Sequence, residues 1–323
     1  LYDGGGVAEF VHRGPGSVAH WVFRGARGWK RRGSEVSRLK NAAKGGPGTG
    51  REMGPRTLHG VESGSGSPTL VMLHGYAATG FTWRHWVPSL ERSHRVLNLD
   101  LKGFGGSGHL ASGGFSPAGH AAALLDTLDA RDVGEFVLVG HSLGGGIALL
   151  TALAMTQKQD ARLAGLVLVS AAAYADRIPP FVRVARAGAL GRAFLRFVPK
   201  GLLVRGVLTA VQSPRHPPDR DSITGYAEPF RTATHRAACV ATALQIIPPD
   251  VDSIVGAYPS IKVPALLIWG DRDRVSSPED GRRLAEALPG SQLEVVPDCG
   301  HMPQDEHPEA TLALVNRFLQ GLD

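Results

Sequence analysis

The sequence predicts an α/β fold: a mostly parallel sheet flanked by helices, with a helical cap inserted between two late strands. Three observations predict it. Short apolar runs recur after residue 57, separated by Gly, Asp and Pro; most neighbouring runs are joined by one helix-like segment; and the stretch from about Tyr174 to Tyr258 has no clear strand. At 323 residues, 43% hydrophobic and 20% charged, the chain can bury one large core. A short peptide, a coiled coil and a mostly disordered protein are excluded.

Residues 1–52 come first and do not share this pattern. They hold ten Lys or Arg against four acids, and twelve of the 42 glycines, with no sustained helix or strand period. The formal net charge of +6 therefore belongs to this stretch, since the other 271 residues balance at 25 against 25. We expect a basic Gly/Arg-rich tail, poorly ordered or not native, with Met53 a plausible start. Basic charge confined to a tail says nothing about a cleft, and no nucleic-acid partner is expected.

The core is expected over 53–173 and 259–323. A first strand falls within Thr57–Glu62, and further strands are predicted at Leu70–Leu73, Val96–Leu99, Phe136–Val139, Leu166–Val169, Ala265–Trp269 and Leu293–Val296. Each of these six is four or five residues, mostly β-branched or Leu, as in strands buried on both faces. Residues 174–258 form the expected cap. Two cysteines, Cys239 and Cys299, exclude a disulfide framework and a Cys-rich zinc site. No apolar run reaches the roughly 18 residues of a membrane span and no signal peptide is evident, so a cytoplasmic protein is expected.

Gly140-His141-Ser142-Leu143-Gly144-Gly145 follows one strand and precedes a helix of small residues. That context fits a nucleophile elbow, in which a strained turn lifts the serine hydroxyl above the sheet. A serine needs a base, and the base needs an orienting acid. His301 lies directly after the last strand, and two candidate acids, Asp271 and Asp273, follow the strand ending at Trp269. Backbone N–H donors for an oxyanion are expected from Leu143 and, in the loop His74-Gly75-Tyr76, from Tyr76.

Taken together, these motifs resemble the α/β-hydrolases of the Ser-His-Asp esterase and lipase type. The likeness runs over about residues 57–321 and rests on His74-Gly75, on Asp100 to Ser107, on the Ser142 elbow, on Gly270-x-x-Asp273 and on Gly300-His301 with Glu306-x-Pro308. It implies that Asp273 is the acid and Asp271 a turn residue, with Asp176 a remote alternative. It also implies hydrolysis of carboxylic esters of short to medium acyl chain through an acyl-enzyme, with no cofactor and no metal. Carbon–carbon bond hydrolysis, perhydrolysis, acyl transfer and non-catalytic ligand binding are the alternatives on the same scaffold. A serine at 142 argues against the dehalogenase and epoxide hydrolase branches, which place an aspartate there. The chain departs from the family at its front, where the partner of the first strand is not recognisable.

Substrate choice is expected to lie in the cap. Between Arg177 and Arg205 it carries seven basic residues and no acid, interleaved with apolar ones. One reading is a lid touching acyl chains or an anionic lipid interface; the preferred one is a helix whose apolar face covers the pocket while its arginines are solvated. Trp83, Phe181 and Phe194 are candidate substrate-binding residues; Trp86 stands with Trp83 as a candidate for the acyl pocket, and core packing explains both tryptophans equally well. Cys299 is expected to be a buried thiol, and His141 to shape the pocket or pack, without transferring protons.

Overall fold

The computed structural model describes residues 7–11, 20–24, 57–109 and 114–322, and the chain divides into two units, 1–56 and 57–323. In the first unit β1 (Val7–Val11) and β2 (His20–Arg24) pair antiparallel, Val7 opposite Arg24. The sequence showed no strand period there, because two five-residue runs among glycines give too few repeats to register. Otherwise the expected tail, including Gly45 to Gly50 and Met53, lies outside the described residues.

The second unit is built on a seven-stranded sheet. Its strands are β3 (Gly60–Ser63), β4 (Thr69–Leu73), β5 (Val96–Leu99), β6 (Phe136–His141), β7 (Leu163–Val169), β8 (Ala265–Gly270) and β9 (Ser291–Val296), in the order β3-β5-β4-β6-β7-β8-β9. Only β3 is antiparallel to its neighbour; the rest run parallel. Helices flank the sheet: α1 (Pro117–Ala130), α2 (Leu143–Lys158), α3 (Pro180–Arg186), α4 (Ala189–Phe197), α5 (Lys200–Val211), α6 (Arg220–Ala227), α7 (Ala233–Gln245), α8 (Val251–Ala257), α9 (Pro278–Ala287) and α10 (Pro308–Gln320). This is the α/β-hydrolase fold.

β4, β5, β6 and β8 are buried at every residue, which is why they read as unbroken Leu, Val and Ile runs. β9 corrects the expectation of a doubly buried strand. It pairs only with β8, forms the sheet edge, and leaves Gln292, Glu294 and Val295 exposed. Six helices, α3 to α8, lie between β7 and β8. They are fastened to the rest of the unit by a buried ion pair, Arg84 to Asp305 at 2.8 Å, to which Tyr226 and Ser222 of α6 are hydrogen-bonded. Removing one partner of such a pair strands a buried charge.

Trp83 and Trp86 are fully buried, with Leu70, Met72, Val96 and Val139 in one core cluster. Three of the buried histidines, His120, His141 and His235, are each held down at about 3, in every case first by burial, which disfavours the imidazolium. In the unfolded chain each titrates near 6.5. Between those values the unfolded state binds more protons than the folded one, so stability is expected to fall as pH drops from 6.5 towards 3, and to be insensitive to these groups above 6.5. Urea unfolding at about pH 7.5 and about pH 5 measures this; equal midpoints would contradict it. Among the described residues no helix is long and apolar enough to cross a membrane, and no cluster of metal-ligating side chains occurs.

Candidate active site

The parallel strands end at one edge of the sheet, and the chemistry-bearing residues stand on the loops that leave it. β6 runs into Ser142, whose backbone has φ 52° and ψ −116°, a conformation that an L-residue holds only under constraint. The constraint is the tight strand-to-helix passage. A Cβ on Gly144 would stand 2.4 Å from the Leu73 carbonyl oxygen and 2.6 Å from that of His74, so only glycine lets α2 lie this close to the exit of β4. The same holds for Gly75, where a Cβ would sit 2.8 Å from His141 Nδ1 and 3.3 Å from Ser142 Cβ. The His-Gly loop is therefore pressed against the elbow.

His74 anchors that loop. Its Nε2 accepts the Leu101 N–H at 2.9 Å, so Nδ1 carries the proton and donates to the Gly75 carbonyl at 2.7 Å. Asp100 braces the other side by accepting N–H groups of Gly80 and Gly106. The Asp100 to Ser107 motif is thus scaffolding beneath the loop. Tyr76 and Leu143 both line the cavity containing Ser142. Leu143 is the first residue of α2, so its N–H has no carbonyl within the helix to meet.

Ser142, His301 and Asp273 come together from three separate loops. Ser142 Oγ lies 2.9 Å from His301 Nε2, and His301 Nδ1 lies 2.8 Å from Asp273 Oδ2. The second Asp273 oxygen accepts the N–H groups of Val275 at 2.8 Å and Ser276 at 3.0 Å, fixing the carboxylate plane. The Asp273 side chain has no exposed area and that of His301 is 6% exposed. The other acids are placed elsewhere. Asp271 accepts the Cys299 N–H, and Asp176 is an exposed partner of Arg283.

Two residues whose hold on His301 the sequence did not reveal, Glu306 and His141, position it. Glu306 accepts three backbone N–H groups: Gly300 at 2.8 Å, Met302 at 3.0 Å and Ser213 at 2.7 Å. It therefore grips the chain on both sides of His301 and ties it to the segment after α5, while the His301 N–H donates to the Val211 carbonyl. The neutral His141 donates from Nε2 to the His301 carbonyl at 2.9 Å. Glu306 was visible only as part of the Glu306-x-Pro308 pattern, since its partner Ser213 is remote in sequence. Glu306→Gln is expected to lower kcat about tenfold or more with KM little changed, because one amide NH₂ must face a buried N–H donor. Steady-state kinetics beside a melting curve checks this; an unchanged kcat would contradict it.

The cavity above Ser142 encloses about 280 Å³ and its wall is mainly apolar, with Leu150, Ile178, Val182, Ile246 and Ile254 prominent. Phe181 is on it, stacked on Tyr76 with ring centres 6.2 Å apart. Trp83 and Phe194 are not, which corrects the sequence expectation for both. Trp83 and its neighbour Trp86 point into the core, and Phe194 faces outward from α4 with 42% of its surface exposed. Burial raises the Cys299 thiol, so it stays protonated.

Residues 70–314 match the sequence pattern of the alpha/beta hydrolase family. The chain belongs to that family. It is similar to an uncharacterised hydrolase, YugF, of Bacillus subtilis, 30% identical over 258 residues covering 79% of this chain and 91% of that one. It is also 29% identical over 293 residues to a 2-hydroxymuconate semialdehyde hydrolase of a Pseudomonas species, covering 88% and 98%. Among solved structures it resembles a thermophilic esterase from Thermogutta terrifontis, with a TM-score of 0.68 at 25% identity over 82% of this chain and 93% of that one. This alpha/beta hydrolase is thus a hydrolase by family.

Proposed function

We propose that this hydrolase cleaves carboxylic esters through an acyl-enzyme, with Ser142, His301 and Asp273 as its catalytic triad. The observation that carries the reading is the continuous hydrogen-bonded line from Asp273 through His301 to Ser142, opening into an apolar cavity. Ser142 Oγ attacks the carbonyl carbon while His301 Nε2 takes its proton. Asp273 keeps the imidazole proton on Nδ1 and stabilises the imidazolium that forms. The N–H groups of Tyr76 and Leu143 receive the oxyanion, each worth about 2.7 to 4 kcal/mol of barrier in sites of this kind. The imidazolium then protonates the leaving alkoxide, and water repeats the sequence on the acyl-enzyme. Residues 174–258 act as the cap, and their α3 supplies Phe181 to the acyl wall.

A second reading, cleavage of a carbon–carbon bond, is favoured by the likeness to the Pseudomonas 2-hydroxymuconate semialdehyde hydrolase. The cavity argues for the ester. Its cations are Arg177, exposed at the rim, and Arg283, already paired with Asp176 and Asp280, so the apolar interior suits an uncharged acyl chain. Hydrolysis of p-nitrophenyl esters from acetate to palmitate, with the Ser142→Ala protein as background, tests the reading. Serine-dependent turnover with an optimum at short to medium chains is expected. No turnover of any ester, together with turnover of 2-hydroxymuconate semialdehyde, would overturn it.

A further inference from the structure

α4 divides its surface into three stripes. Gly191 and Leu195 point inward and are buried; Arg192 and Arg196 point to one side, exposed; and Leu190, Phe194 and Phe197, spaced four and three residues apart, lie on the third. The third stripe has no cover. Leu190 and Phe197 are each 76% exposed and Leu202, at the start of α5, 65%. With Phe194 they make four of the seven exposed large hydrophobic side chains among the described residues, and the other cap ones, Val184 and Leu244, lie on the neighbouring α3 and α7.

The stretch of chain that carries the stripe has charge of one sign. Arg183 and Arg186 on α3, Arg192 and Arg196 on α4 and Arg205 on α5 lie within it, and the chain has no acid from Arg177 to Pro218. Lys200 is used differently, closing the end of α4 by donating to the carbonyls of Leu195, Arg196 and Val198. A helix covering a pocket would turn its aromatic residues inward. Here the inward face is filled by Gly191 and Leu195, whereas two Phe and a Leu are turned to solvent beside arginines whose long stems reach past them. That combination matches the depth profile of an anionic bilayer, with apolar side chains among acyl tails and guanidinium groups at phosphate level.

We propose that the face formed by α4 and the start of α5 docks on an anionic lipid surface, with Leu190, Phe194, Phe197 and Leu202 entering the acyl region and Arg192 and Arg196 meeting lipid phosphates. The proposal is independent of which carbonyl compound the site cleaves. Protein–protein association through the same stripe is the competing occupant, and the basic residues 1–52 could also bring the chain to anionic vesicles, so the test must report from the stripe itself.

Both native cysteines are buried, so an environment-sensitive dye can be directed to an introduced thiol. The full chain carries Ala193→Cys, which is exposed on α4 beside Phe197 at the edge of the stripe and leaves its three large side chains in place, or Arg282→Cys on α9 as a reference. Vesicles are phosphatidylcholine with or without about 30 mol% phosphatidylglycerol. The dye at 193 is expected to shift to the blue and brighten only with the anionic vesicles, while the dye at 282 stays unchanged. Adding Leu190→Ser, Phe194→Ser and Phe197→Ser is expected to weaken partitioning about tenfold or more at physiological salt, with circular dichroism and melting temperature unchanged. A silent dye at 193 on protein that still sediments with vesicles, or a triple-serine protein that partitions like its parent, would overturn the proposal. So would a concentration-dependent response without lipid, which assigns the stripe to a second copy of the chain.

Discussion

Ser142→Ala is expected to lower kcat for p-nitrophenyl acetate by about a million-fold. The hydroxyl is the atom within hydrogen-bond reach of His301 Nε2 in the cavity, so without it the imidazole has no nucleophile of the protein to activate. What remains is a binding pocket with two N–H donors that still stabilise an oxyanion formed by attack of water, roughly 1,000 to 10,000 times the uncatalysed rate. Two further results follow from the same picture. The wild-type protein is expected to release a stoichiometric burst of p-nitrophenol before steady state and the variant none, because under this reading the burst is acyl-enzyme formation. Ser142→Ala combined with His301→Ala is no slower than Ser142→Ala alone, since the base has no function without its nucleophile. Retention of activity to within tenfold would place the nucleophile elsewhere.

What the sequence made legible and what it hid differ in physical kind. Ser142 and His301 could be read, and the acid narrowed to Asp271 or Asp273, because each follows a strand of the parallel sheet, and parallel strands deliver their exit loops to one edge whatever the intervening chain does; the choice of Asp273 rested on the family resemblance. The elbow needs glycines for backbone clearance, as the short approach at Gly144 demonstrates, so its spelling is local. Pocket lining is different. Whether Trp83 meets substrate or core depends on the turn Gly80–Trp83 packing onto β4 and β5, which no local pattern encodes. Phe194 was misjudged for a related reason: a helix with one buried stripe and one uncovered apolar stripe has the composition of a buried helix. β9 was read as doubly buried from Leu293, Val295 and Val296, yet its burial is decided by its edge position in the sheet. The grip of Glu306 on Ser213 spans 93 residues and is invisible until the chain is folded.

Asp273→Asn is expected to lower kcat about ten-thousand-fold while leaving the fold intact. Asn has one acceptor oxygen and one donor NH₂. The Asp273 oxygen away from His301 accepts two buried N–H groups, from Val275 and Ser276, and an NH₂ placed there would face both donors. The amide therefore settles with its oxygen on those groups and its NH₂ against His301 Nδ1. That nitrogen must now accept, which moves the imidazole proton to Nε2, the position that has to receive the proton of Ser142. The nucleophile loses its base through the tautomer alone, with no side chain displaced. A fall in kcat of that size at neutral pH, a melting temperature within a few degrees of the parent, and a nitrogen NMR spectrum with the proton on Nε2 are the expected results. Asp271→Asn is the control, because the Asp271 oxygen only accepts the Cys299 N–H and an amide oxygen can do the same. Its kcat is expected to stay within a few-fold of the parent. A reversal, with Asp271→Asn inactive and Asp273→Asn active, would require the carboxylate that holds the imidazole to be the one closer to the strand end.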